Sequence, residues 1–142
     1  MTDLVEFLTA RYSEDEVVAR TAGGSRPSGS RWTADLPADC RARGTVADGH
    51  GDIVIYECYA GEQHATHIAR HDPARVLADI AGKRRILRDY ELIMVNAKAE
   101  TDDVKARLYH FAAQALSMGL SALAEPYRAH PDFDPAWGRV DG

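Results

Sequence analysis

Hydrophobic and polar positions alternate with clear periods along most of this chain. From residue 3 to about 21, Leu4, Val5, Leu8 and Tyr12 recur at helical spacing, and Val17 and Val18 extend the stripe. Thr2 or Asp3 can cap the first turn, since a short side-chain oxygen satisfies backbone N–H groups that have no helical partner. Glu14, Asp15 and Glu16 read as a solvated face, with a break near Ser13 left open. Residues 22 to 30 hold Gly23, Gly24, Pro27 and Gly29 among serines and read as a flexible linker.

The period changes to two over residues 31 to 59. Arg31-Trp32-Thr33 starts a short strand. Residues 43–47 and 53–59 flank Asp48-Gly49-His50-Gly51, a hairpin signal. Ile53, Ile55 and Tyr59 fall on one face of the second arm and Val54, Tyr56 and Cys58 on the other. Two apolar faces predict a central strand or one covered by helices.

Residues 62 to 126 return to helical spacing. A short helix is expected from Glu62 to His71, and Asp72-Pro73 then ends it and starts another. Asp is a strong N-cap, and proline at the first helical position gives up only an N–H that lacks a partner there. The long helix should reach about Asn96, with Val76, Ile80, Leu87, Tyr90 and Met94 as its core stripe. Thr101 is the expected cap of the last helix, whose stripe is Val104, Leu108, Phe111, Ala115, Met118 and Ala122. The short connection makes these two helices an antiparallel hairpin, and Pro126 ends or kinks the second. The tail from 127 to 142 carries Tyr127, His130, Phe133, Pro135 and Trp137, and is expected to pack irregularly over the core. The fold class is therefore α+β in a single domain. An N-terminal helix and a small antiparallel sheet accompany a long helical hairpin closed by an aromatic tail.

Composition narrows the function classes. The net charge of −5 argues against a general grip on DNA or RNA. Two cysteines, Cys40 and Cys58, do not make a disulfide scaffold, and a reduced pair in the cytoplasm is expected. The N-terminus has no signal-peptide pattern. The most apolar run, residues 111 to 124, is too short and too polar to span a bilayer. No membrane role is expected.

Three of the six histidines sit in His64-x-x-His67-x-x-x-His71, on one side of the expected short helix. That spacing lets three imidazoles converge on Zn²⁺, with Cys58, His110 or His130 as a fourth ligand. The bland alternative has His67 and His71 bracing the helix break beside Asp72. The pattern is not His-Glu-x-x-His, and no nucleophile elbow or phosphate loop is present. Lys83, Arg84, Arg85 and Arg88 form the densest basic cluster, read first as a solvated helix face. Together with Tyr127, His130, Phe133 and Trp137 they are the candidate interaction surface.

The segments His67-Ile68-Ala69-Arg70-His71-Asp72-Pro73-Ala74-Arg75-Val76-Leu77 and Tyr127-Arg128-Ala129-His130-Pro131-Asp132-Phe133, followed by Pro135 and Trp137, resemble a family of small uncharacterised proteins from actinobacteria and their phages. Asp3-Leu4-Val5-Glu6-Phe7-Leu8 and the tryptophan before the hairpin fit it too. The resemblance implies a domain of unknown function and supplies no catalytic residue. Residues 94–107 depart from the cysteine-containing sequence of many members, so no metal site carries over. The leading expectation is a non-enzymatic accessory or protein-interaction domain without a cofactor, binding an unidentified protein partner or a second copy of itself. The alternative is a zinc protein, or a hydrolase built on that zinc, using His64, His67 and His71. Nucleic-acid binding through the basic helix face is the weaker third.

Overall fold

A computed structural model describes residues 3–26, 28–35, 44–58 and 62–138. The element order is α1 (Leu4–Gly23), β1 (Trp32–Asp35), β2 (Gly44–Asp48), β3 (Ile53–Cys58), α2 (Glu62–Arg70), α3 (Pro73–Ala99) and α4 (Asp103–Ala124). Two short 3-10 turns, Glu125–Tyr127 and Pro135–Trp137, follow. The α+β expectation holds. Contacts group the chain into two compact units, residues 14–80 and residues 1–13 with 81–142.

The unit of residues 14–80 is built on the sheet, which is antiparallel in the order β1-β2-β3. Val46 at the middle of β2 is fully buried and pairs with Ala34 on one side and Ile55 on the other. Trp32, Ala34, Ile55, Ile68 and Ala69 pack around Val46 and Ala65, so α2 lies on one face of the sheet. The hairpin forms as its Asp-Gly signal predicts. The Asp48 carboxylate accepts from the N–H groups of His50 and Asp52 at 2.8 and 3.0 Å. Gly51 takes a φ of +84°, which glycine adopts without the steric cost that a Cβ adds. The central strand is β2, not β3. Ile53 and Val54 are exposed, because a three-stranded meander leaves its last strand at the edge.

The segment after α1 is pinned rather than a free linker. Ser28 O accepts from the N–H of Gly49 at 3.2 Å, and Ser30 O from that of Ala74 at 2.9 Å. A Cβ on Gly49 would lie 2.7 Å from Ser28 O, so this close approach requires glycine. Trp32 Nε1 donates to Gly29 O, and Arg26 pairs with Asp52 at 2.6 Å. Asp72 does what its position predicts. One carboxylate oxygen accepts from Arg75 N at 2.7 Å, capping α3, and the other from Trp32 N at 3.3 Å. Within this unit α1 buries Ala19 but leaves Val17 and Val18 in water, so the expected stripe does not extend through them.

In the other unit the buried apolar side chains among the described residues are Phe7, Leu8 and Tyr12 of α1, Leu87 and Ala97 of α3, and Ala113, Leu120 and Ala124 of α4. Leu87, Tyr90 and Met94 turn inward as expected. Phe7 anchors the tail. Its ring lies 6.2 Å from Tyr127, 5.7 Å from His130, 6.0 Å from Phe133 and 4.9 Å from Trp137. The buried Arg11 donates to the His130 imidazole and stacks over Phe7 with Cζ 5.3 Å from the ring centre. The tail therefore packs as part of the fold.

Candidate interaction surface

Helix α4 begins one residue later than Thr101 suggests. Glu100 Oε1 accepts from the N–H groups of Thr101 and Asp102 at 3.0 Å each. Asp102, in extended conformation, then accepts from Val104 N and Lys105 N at 2.9 and 3.1 Å and is the N-cap. A carboxylate here also suits the positive end of the helix dipole. Pro126 has no N–H for the α-helical ladder, and the chain tightens into the first 3-10 turn.

This helix is apolar on two sides. Its inward side carries Ala113, Leu120 and Ala124, all buried, with Tyr109, Leu116 and Leu123 half-buried between them. The stripe expected to form the core is the opposite one. Val104 is 62% exposed, Leu108 65%, Phe111 74% and Met118 59%, and Ala115 and Ala122 are exposed with them. The physical reason lies in the composition. Between Phe111 and Ala124 only Gln114, Ser117 and Ser121 are polar, and they do not mark an outer face. Both stripes fit helical spacing, and the one with larger side chains looks like the better core. On α3 of the same unit, Leu92 and Val95 are also exposed.

The residues expected to form an interaction surface divide. Lys83 Nζ stands 5.7 Å from the Tyr12 ring centre, and Arg84 Nη2 donates to Ser13 Oγ at 3.3 Å. Both are half-buried, whereas Arg85 and Arg88 are exposed. Tyr127, His130, Phe133 and Trp137 are half-buried around Phe7.

The histidine stretch forms α2 and its end. His67 and His71 come together with ring centres 4.4 Å apart. His71 Nδ1 donates to His67 O at 2.9 Å, which closes the turn before Asp72. With Gln63, Thr66, Arg70 and Arg75 they line an open polar cleft of about 690 Å³, across which Arg75 Nη1 donates to Arg70 O at 3.1 Å. Among the described residues, no group of three or more His, Cys, Asp or Glu side chains is arranged to hold a metal ion. His110 is exposed on α4, and His130 binds Arg11. Cys40 lies outside the described residues, and Cys58 closes β3.

No helix among the described residues is long and apolar enough to cross a membrane. No curated protein and no solved structure matches the chain. One family model does match, over residues 1–139, and the chain belongs to that family of unknown function, DUF6221.

Proposed function

We propose that this domain acts by binding another protein, as an accessory or interaction module, through the outward face of α4. The supporting observation is the row of Val104, Leu108, Phe111, Ala115, Met118 and Ala122 standing in water at alternating steps of four and three residues. Single exposed apolar side chains are ordinary on a protein surface, but an aligned row of this size marks a binding face. Phe111 sits near its centre, where interfaces place aromatic anchors, and Lys105, Arg107 and His110 supply a polar rim. The likeness of residues 67–77 and 127–137 to actinobacterial and phage proteins supports an origin in a mobile element. A cytoplasmic setting goes with it, since two cysteines are too few for a secreted scaffold of disulfides.

The test is a photo-crosslinking side chain placed at Phe111 of the full chain in cells of the native host, with the same group at Val17 as control. Both positions are exposed, so neither replacement should unfold the protein. Protein adducts from position 111 and none from position 17 are expected. A folded protein that gives no adduct from positions 108, 111 and 118 would overturn the reading.

A further inference from the structure

We propose that the protein bound on this face is a second copy of the chain, with the two α4 helices packed antiparallel. The proposal rests on the binding role of the α4 face and names its occupant.

The stripe reads the same in both directions. From Val104 the steps are four, three, four, three, four, centred on Ala113. A twofold axis at that level brings Val104 against Ala122 of the other copy, Leu108 against Met118, and Phe111 against Ala115. A period of 3.5 residues is the seam spacing of paired helices, and a twofold interface needs a patch complementary to itself. Size follows the same rule. In two of the three kinds of layer a large side chain meets an alanine, and in the third leucine meets the pliable methionine. Gly119 adjoins the seam, with nothing within 4 Å of the place a Cβ would take, so a second helix can come close there.

Charge selects the direction. Lys105, Arg107 and His110 all lie in the first half of α4, and no acidic residue follows Asp103 within the helix. A parallel pair would set each cation beside its own copy. The antiparallel pair holds the two Arg107 levels roughly 18 Å apart along the axis, more than twice the Debye length of about 8 Å. It also brings Lys105 toward the C-terminal end of the other α4, where the dipole is negative and Glu125 follows. The six exposed side chains offer on the order of 600 Å² per copy, against the roughly 800 Å² that each partner gives to a stable interface.

Sedimentation equilibrium of the full chain over micromolar concentrations tests the proposal, with circular dichroism to confirm folding. Wild type should approach twice its 15.6 kDa mass. F111E should keep its helicity and weaken association by at least about tenfold. F111A and A115F should each weaken it, by a lost contact and by phenylalanine meeting phenylalanine, and the double swap F111A/A115F should restore it. Only pairing of the face with its own copy predicts that rescue, because a foreign partner would still meet a rearranged face. A wild-type mass of one chain throughout would overturn the second copy, and adducts from position 111 to a different protein would then leave the binding role standing. A dimer that F111E leaves intact, or that the swap fails to restore, would overturn it as well.

Discussion

The ring of Phe7, in the second turn of α1, lies 4.9 Å from the ring of Trp137 in the last described turn of the chain. Phe7 is 2% exposed, and the Tyr127 and Phe133 rings stand edge-on to it. One side chain thus holds the segment 127–137 to α1. Phe7→Ala should cost about 3–5 kcal/mol, because it removes the aromatic bulk and leaves a cavity that three rigid rings cannot fill. Urea unfolding followed by Trp137 fluorescence in a Trp32→Phe background would measure it. A loss under about 1 kcal/mol would mean that the tail holds without Phe7.

Asp102 and Thr101 separate two accounts of the α4 start. Asp102→Ala should cost roughly 1 kcal/mol, since two N–H groups lose their acceptor. Thr101→Ala should stay within about 0.5 kcal/mol. Thermal or urea denaturation of the two variants should rank them in that order, and the reverse order would restore Thr101 as the cap.

Asp72 serves two elements with its two carboxylate oxygens, α3 through Arg75 N and β1 through Trp32 N. Asp72→Ala should therefore cost more than an ordinary cap, about 1–2 kcal/mol. Asp72→Asn keeps one acceptor and one cap and should lose less than half as much. Amide exchange at Arg75 and Trp32 should speed up in the alanine variant. Unchanged exchange at Trp32 would show that only the helix depends on this carboxylate.

Two glycines should respond in opposite directions to alanine. Gly82 lies inside α3 with nothing within 4 Å of a built Cβ, so Gly82→Ala should stabilise by up to about 1 kcal/mol. Gly51 holds a φ of +84° in the hairpin turn, and Gly51→Ala should destabilise by about 1–2 kcal/mol. Melting temperatures of the two variants should move apart, and a shared direction would contradict one of the two local geometries.

Where one residue type has one physical task, the sequence was legible. Asp72-Pro73 and the Asp48 turn combine a capping side chain with a backbone constraint, and both form as expected. The α3 stripe was legible because charged residues fill the spaces between its inward positions. The α4 stripe was inverted because that helix is apolar on both sides, and periodicity reports a face without saying which way it points. Val17 and Val18 misled for the opposite reason, extending a pattern whose buried positions there are Ala19 and Gly23. The pairing of Arg11 with His130 was invisible, since nothing local says that two residues so far apart in sequence meet.

The outward face of α4 is predicted to touch the same face of a second copy. Leu108 and Met118 are ten positions apart on one helix, roughly 15 Å along its axis, too far for a nuclear Overhauser effect within one chain. In a mixed sample, one copy would carry labelled leucine methyls and the other labelled methionine methyls. An intermolecular effect between Leu108 and Met118 is expected. Its absence at concentrations where the mass is that of a dimer would contradict the antiparallel pairing.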